Sequence, residues 1–278
     1  MKSAIILSTL PAVLATLASI ASAAPVSFSS TGADAAGMTP GVDAFRAAIG
    51  GPVNAPGAGP FASGRREINW DAPALDAFAS PALMPNNFFN NNSKRGAAFT
   101  TPGSGFLVSQ RAAQAGFTAP RFGDINPAYA AQFQTFSAER LFAAKDSTVT
   151  DVFFFVPSDP ATPATVSSFG AVFADVDDDA TTFLEFFDLS GNLLHQAFAS
   201  PNPSGLTFIG TTFDAGERIA RVRIHAGTLA LGAANLESPG ADIVAMDDFF
   251  YAEPQAVPTP GTASLLAAGA VGLRRRRR

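Results

Sequence analysis

Apolar and polar residues alternate along much of the chain with the two-residue period of β-strands. The alternation is clearest at 219–225, where Val222 and Ile224 are predicted to face the core while the arginines and the histidine beside them face solvent. Similar segments lie at 106–110, 131–136, 140–144, 149–156, 166–176, 182–188, 192–198, 206–213 and 243–251. Turn residues separate many of them, at 157–160, 190–192, 201–203 and 214–216. Many short strands without amphipathic helices between them predict an all-β fold, an antiparallel, jelly-roll-like β-sandwich.

Two segments can be placed within this sandwich. Residues 152–156 are apolar at both odd and even positions, which predicts a strand in the middle of a sheet with both faces covered. Residues 65–71 are predicted to form an opening strand in which Ile68 and Trp70 point inward.

The region before that strand has a different composition. Residues 24–63 are rich in Gly, Ala, Pro and Ser and have little periodicity, so they are predicted to be a mostly irregular lead-in. One short helix is expected at 42–49, with Thr39 as its cap, Pro40 at its first position and Gly50 after its end.

The N-terminus has the features of a secretory signal peptide. Lys2 precedes an apolar stretch at 4–20, and Ala21 and Ala23 form an A-x-A cleavage site before Ala24. The chain is therefore divided into a signal peptide at 1–23, the lead-in at 24–63, one β-sandwich domain at 64–256 and a tail at 257–278.

The tail combines a short apolar segment with a basic end. Residues 262–273 are apolar but number only twelve, well below the roughly 20 residues that span a bilayer as a helix. The chain then ends in Arg274, Arg275, Arg276, Arg277 and Arg278. Such a charge cluster is expected to stay on the cytoplasmic side while the apolar segment enters the inner membrane transiently.

The order of these parts resembles a known family of signals. The segment Val257, Pro258, Thr259, Pro260 and Gly261, followed by the apolar run and the arginines, resembles the PEP-CTERM sorting signal. The resemblance implies export, processing of the tail by an exosortase near 258–260, and delivery to the cell surface or the extracellular matrix. Several body segments, such as 167–177 and 243–254, also resemble the β-sandwich bodies of uncharacterised exported bacterial proteins.

The amino-acid composition indicates which kinds of binding partner are favoured and how the fold can be stabilised. Without Lys2 and the terminal arginines, 12 basic residues stand against 23 acidic ones, a net charge of −11 that disfavours nucleic acid and attracts cations. The chain has no cysteine, so disulfides cannot stabilise it. Its 26 phenylalanines can supply a large apolar core, and a bound metal ion could add to the stability.

Two groups of acidic residues are candidate calcium sites. Asp175, Asp177 and Asp179 belong to a run of carboxylates at the end of a predicted strand, and such oxygen ligands suit Ca²⁺. Glu67 in the first strand and Asp248 in the last could share an ion, similar to calcium-stabilised jelly-roll modules that bind carbohydrate. Since neighbours in a strand point to opposite faces, only one of Asp248 and its neighbour Asp247 is expected at such a site. The alternative interpretation is that these residues are solvated charges at the sheet edge or hydrogen-bond a loop.

Motifs for catalysis are mostly missing from the sequence. It contains no metalloprotease, nucleophile-elbow, Walker A or dinucleotide-binding motif, and its two histidines, His195 and His225, are expected to be surface residues. We therefore expect a non-enzymatic protein. The alternatives are a module that binds extracellular polysaccharide and, with two suitably spaced carboxylates, a glycoside hydrolase or lyase.

Overall fold

The computed structural model describes residues 24–257 except 113–115 and 117–118. The predicted signal peptide and positions 258–278 of the predicted sorting tail lie outside the described residues. The strands are β1 (Val26–Gly32), β2 (Arg65–Ile68), β3 (Ala97–Thr100), β4 (Gly105–Val108), β5 (Phe142–Lys145), β6 (Val149–Val156), β7 (Asp159–Thr165), β8 (Ser168–Val176), β9 (Phe183–Phe187), β10 (Leu193–Phe198), β11 (Asn202–Thr212), β12 (Arg221–His225), β13 (Ala245–Ala252) and β14 (Gln255–Ala256). The helices are α1 (Ala35–Ile49), α2 (Phe88–Asn91) and α3 (Tyr129–Gln132), with a 3₁₀ turn at Pro73–Phe78.

The strands form two antiparallel sheets, as predicted. The first has the order β1-β11-β8-β13-β5-β4, with β2 also paired to β13. The second has the order β10-β9-β12-β6-β7-β14, with β3 also paired to β6. The chain crosses repeatedly between them.

Eight of these strands have the connectivity of a jelly roll. Numbered from β5, without β7, they lie in the order 1-8-3-6 in the first sheet (β5, β13, β8, β11) and 2-7-4-5 in the second (β6, β12, β9, β10). Every pair of neighbours is antiparallel. Two interlocked Greek keys produce this order, so the predicted jelly-roll-like sandwich is confirmed.

The core between the sheets is built largely from phenylalanine. Trp70 lies at its centre and stacks on Phe142 with ring centroids 4.0 Å apart, while Phe89 and Phe249 contact it edge-on. The Trp70 indole N–H donates to the backbone oxygen of Asp247 at 2.8 Å, so its polar group is satisfied.

A second apolar cluster covers the outer face of the first sheet. Helix α1 contributes Met38, Val42 and Phe45, which lie on one side of the helix. Phe45 packs over Gly170 and Gly210, which pair across β8 and β11. A Cβ atom at either glycine would lie 2.8 Å from the Phe45 ring, so these glycines let the helix approach the sheet.

The lead-in prediction was wrong in part. Residues 26–32 form β1 at the edge of the first sheet, where all seven pair with β11. The helix also begins earlier than predicted, at Ala35, because the Asp34 side chain caps it by accepting the Gly37 N–H at 2.9 Å. It ends before Gly50, which has a φ of 76°, as the sequence indicated.

Other segments also differ from expectation. Residues 131–136 are not a strand, because α3 occupies their start and the Asn126 side chain accepts the Ala128 N–H just before it. The predicted turn at 157–160 is shorter, and β7 begins at Asp159 and contains two prolines. Strand β3 was not predicted.

The predicted orientation of β12 is confirmed. Val222 and Ile224 are fully buried, whereas the other residues of the strand are partly exposed. Strand β6 lies inside its sheet as predicted, but Phe153 and Phe155 are only half-buried, so the prediction that both faces of this strand are covered was wrong for the face that carries them. Residues 24–257 thus contain both sheets and both apolar clusters. This sandwich body has its own core and is expected to fold as a unit.

Candidate functional site

Three carboxylates meet where β8 ends and the loop before β13 passes by. Asp175 and Asp177, two of the residues in the acidic run, lie next to Glu237, and one oxygen of each falls within 4.8 Å of the others. Asp175 is buried and the other two are partly buried. Together they form an acidic triad that could hold a metal ion.

Local backbone geometry places Asp175 at this point. The residue has a φ of 66°, and the register between β8 and β11 shifts beside it, where 203–205 bulge out of β11. The Ser204 N–H in that bulge donates to Oδ1 of Asp175 at 2.5 Å. Because the bulge interrupts the pairing of β8 with β11, this N–H has no carbonyl acceptor in the ladder, and the Asp175 carboxylate accepts it instead.

The neighbouring loop is anchored by further carboxylates. Asp242 accepts the Thr181 hydroxyl at 2.6 Å and the Asp177 N–H at 3.3 Å. Glu237 accepts the Ile243 N–H at 3.2 Å. These hydrogen bonds link 177–181 to the segment that leads into β13.

Two oxygens of the triad lack an N–H or hydroxyl donor. Oδ2 of Asp175 and Oδ1 of Asp177 are buried, and no amide, guanidinium or hydroxyl group of the described residues lies in hydrogen-bonding geometry to them. Asp175 is only 1% exposed. A buried acceptor left unsatisfied costs about 1–3 kcal/mol, and more if it is charged, so the arrangement favours a ligand that supplies positive charge.

The pKa values of the triad are raised by burial and by the closeness of the three carboxyl groups. Burial raises the pKa of Glu237 to about 8, with contributions from its hydrogen bond to Asp177 and the charge of Asp175. Burial also raises the pKa of Asp175, and the Asp177 charge adds to the effect. Three nearby oxygen donors of this kind attract hard cations when they are ionised.

The remaining predicted metal ligands lie elsewhere. Asp179 is exposed and outside the triad. The two oxygens of Glu67 are bound by guanidinium groups, at 2.8 Å from Arg46 Nη2 and 2.7 Å from Arg65 Nε. Glu67 thus serves an ion-pair network in this structure and has no free oxygen to share with Asp248.

Asp248 belongs to a second acidic group, the bulge cluster of Asp71, Asp247 and Asp248. Between Met246 and Phe249, β13 advances three residues while β8 advances two. The prediction that Asp247 and Asp248 point to opposite faces was therefore wrong, because this irregularity brings both side chains to Ser137.

Main-chain and hydroxyl donors satisfy the bulge cluster. Asp247 accepts the Phe136 N–H at 2.6 Å, Asp248 accepts the Ser137 hydroxyl at 2.6 Å, and Asp71 accepts the Glu139 N–H at 2.7 Å. Burial raises the pKa of Asp247 well above its ordinary value and that of Asp248 to about 6. The cluster holds the 136–140 segment against the first sheet.

The histidines also have partners. The His225 ring stacks on Phe183 with centroids 4.1 Å apart and lies 3.2 Å from a Glu185 oxygen. Nε2 of His195 lies 2.9 Å from the Ser27 hydroxyl, and burial lowers its pKa.

Glu237 was not identified from the sequence. It lies about sixty positions after Asp177, in a loop where acidic residues do not recur at the short spacing of a metal-binding motif. Only the approach of this loop to the end of β8 brings it into the triad. The sequence offers no local signal for it, since Glu237 lies eight residues before β13 and Asp242 stands between them.

Comparison with known proteins adds no assignment to these sites. The chain matches no protein-family model and no curated protein sequence. Within the described part of the chain, no helix has both the length and the apolar character needed to cross a bilayer.

Proposed function

We propose that this chain is an exported, non-enzymatic jelly-roll protein of the cell surface or extracellular matrix, whose acidic triad holds a structural Ca²⁺ ion. The observation that carries the calcium site is the pair of buried oxygens on Asp175 and Asp177 that lack an N–H or hydroxyl donor, next to the carboxyl group of Glu237.

The chemistry of the donors favours calcium. All three are carboxylates, and Ca²⁺ takes six to eight oxygen ligands in flexible geometry, so main-chain carbonyls and water can complete its shell. Calcium affinities of extracellular modules are typically about 10⁻⁴–10⁻³ M. A cysteine-free exported domain can gain from such an ion the stability that other secreted domains draw from disulfides.

Bound calcium would act between the two central strands of the first sheet. Asp175 belongs to β8, and Glu237 lies in the loop that leads into β13, the neighbour of β8. An ion ligated from both sides stabilises the folded state because the unfolded chain does not hold these ligands together.

Chelation of calcium tests this role. At a free calcium concentration 100-fold above the dissociation constant, the ion would add about 2.7 kcal/mol of stability. For a domain of this size that corresponds to a rise of about 5–10 °C in Tm. We expect the sandwich body to show this rise in calcium relative to EGTA, and Asp177→Asn to lose most of it. Asp179→Asn, a change of the same kind outside the triad, should keep it. A wild-type Tm that does not differ between calcium and EGTA contradicts the proposal.

Export and sorting rest on the two ends of the chain. In the body, β14 ends at Ala256 and the Val257 N–H donates to the Pro163 oxygen at 3.2 Å, and the predicted sorting tail begins at this residue. In an exosortase-bearing host, an epitope at the C-terminus should be lost from the mature protein. Replacing the five terminal arginines by serine should leave the tail unprocessed. A C-terminal label that persists on the exported wild-type chain refutes sorting through this tail, whatever the outcome for calcium.

The aromatic residues favour a structural role over carbohydrate binding. Trp70, Tyr129 and Tyr251 are each 0% exposed, so the usual sugar-stacking side chains are packed in the interior. We therefore propose no glycan platform.

A further inference from the structure

Most edges of the two sheets are covered by other parts of the body. The outer edge of β4 receives the Ser80 N–H at the Val108 oxygen and the Met84 N–H at the Phe106 oxygen, at 2.8 and 2.9 Å. The outer edge of β2 is likewise paired with 52–54. Because these edges are already hydrogen-bonded, they do not present a row of unpaired backbone groups to a strand of another chain.

Strands β3 and β7 of the second sheet are also covered or protected by proline. Strand β3 donates the Phe99 N–H to the Asn86 oxygen at 2.9 Å. Strand β7 contains Pro160 and Pro163, which cannot donate to a further strand, and it pairs with β14. Proline and cover are two devices by which proteins prevent sheets from associating edge to edge.

Strands β1 and β10 lack these devices. Each ends its sheet and has no further strand on its outer side among the described residues. Their sequences, VSFSSTG and LLHQAF, contain no proline and no Asp, Glu, Lys or Arg. Burial lowers the pKa of the single ionisable side chain, His195, which favours its neutral form.

The two open edges lie side by side. The Ser27 hydroxyl of β1 and Nε2 of His195 in β10 are 2.9 Å apart, so one flank of the sandwich presents both strands together. Large apolar side chains are exposed on these strands, with Val26 at 45%, Leu193 at 50% and Phe198 at 49%. This combination of unpaired backbone and exposed apolar groups is typical of a surface that adds a strand from another chain.

We propose that this flank binds a second copy of the chain by antiparallel pairing of β1 with the partner copy's β1 and of β10 with the partner copy's β10. A two-fold axis makes each strand its own partner, so an uncharged strand meets an uncharged strand. The remainder of the body carries the net charge of −11 and repels a second copy. The flank is therefore where two bodies can approach with least repulsion, and both sheets continue across the contact.

Mass measurement over a wide concentration range tests the pairing. We expect multi-angle light scattering to give the mass of a dimer at high concentration and of a monomer on dilution. The double variant Ser29→Lys, Gln196→Lys places charges at exposed positions of the two strands. It should raise the dissociation constant by roughly 100-fold or more, because like charges then face each other across the two-fold axis.

Ala161→Lys, at an exposed position of β7, is the matched control and should dimerise like the wild type. Hydrogen exchange of the wild-type protein gives a second readout that needs no variant, since amides of β1 and β10 should become more protected as concentration rises. A wild-type mass that stays monomeric, a mass that grows beyond two copies, or a dimer that is as stable in the double lysine variant overturns the proposal.

Discussion

The carboxyl group of Asp248 should make the sandwich body less stable as pH rises, and Asp248→Asn should remove much of this dependence. Asp248 lies in the bulge of β13, 3% exposed, beside the carboxyls of Asp247 and Asp71. The asparagine keeps the size of the side chain and the oxygen that accepts the Ser137 hydroxyl. Its amide can also donate to Asp247, which the ionised aspartate cannot do.

The direction of this pH dependence follows from the number of protons that the folded and unfolded states bind. The pKa of Asp248 is about 6 in the folded protein, mainly because of burial, against about 3.9 for an aspartate in an unfolded chain. Between these values the folded state binds more protons than the unfolded state, so the free energy of unfolding falls as pH rises. Its contribution is fully present below about pH 4 and is lost as pH rises through about 6.

The gap of about two pKa units corresponds to about 3 kcal/mol, since each unit is worth about 1.4 kcal/mol. At pH 7.5 we therefore expect Asp248→Asn to be more stable than the wild type by up to about 3 kcal/mol, and at pH 4.5 by much less. The neighbouring Asp247, whose pKa is also raised by burial and by the Asp248 charge, should ionise more readily in the variant. Glu67 and Arg46 lie nearby and are unchanged by the substitution.

Urea denaturation of the sandwich body at several pH values between 4.5 and 7.5 measures the difference. Asp214→Asn, an exposed aspartate outside the cluster, is the control and should leave the pH profile of the wild type unchanged. If the stability difference between Asp248→Asn and wild type is the same at both ends of the pH range, the reasoning is refuted.

Two further substitutions test the packing described above. Gly210→Ala should lower the free energy of unfolding by about 1–3 kcal/mol, because the new Cβ would lie 2.8 Å from the Phe45 ring. Thermal denaturation measures this loss of stability. An unchanged Tm would contradict the close approach of α1 to the sheet. Glu253→Gln should lower the free energy of unfolding by about 3–5 kcal/mol, because Arg66, which is fully buried and 2.6 Å from Glu253, would lose its compensating charge. Urea denaturation measures this loss. A loss no larger than that caused by substituting an exposed glutamate would contradict the buried ion pair.

The sequence predicts the sandwich wherever apolar alternation is strong. Val222 and Ile224 in β12 show this, because burial of one face leaves a two-residue period that can be recognised without tertiary knowledge. Strand β1 was missed because VSFSSTG is mostly small and polar, and its strand conformation depends on pairing with β11 and on packing of α1 against one face. The helix start was missed for a simpler reason, since Asp34 is as good a cap as Thr39.

The candidate site was less predictable because it depends on irregularities of the ladder. The run from Asp175 to Asp179 identified the right loop, but the third carboxylate, Glu237, comes from a distant segment. Likewise, a strict two-residue period separates Asp247 from Asp248, and only the register shift in β13 brings them together.

Both acidic groups lie where the ladder of β8 with its neighbours is interrupted, but they differ in how their carboxylate oxygens are hydrogen-bonded. In each group a carboxylate accepts a main-chain N–H, from Ser204 for Asp175 and from Phe136 for Asp247. In the bulge cluster, each buried carboxylate oxygen among the described residues has a hydrogen-bond partner, so the cluster is complete without further atoms. In the acidic triad, buried oxygens on two residues lack an N–H or hydroxyl donor. Since both groups carry raised pKa values, these oxygens, rather than the density of charge, distinguish the triad as the group that could hold a metal ion.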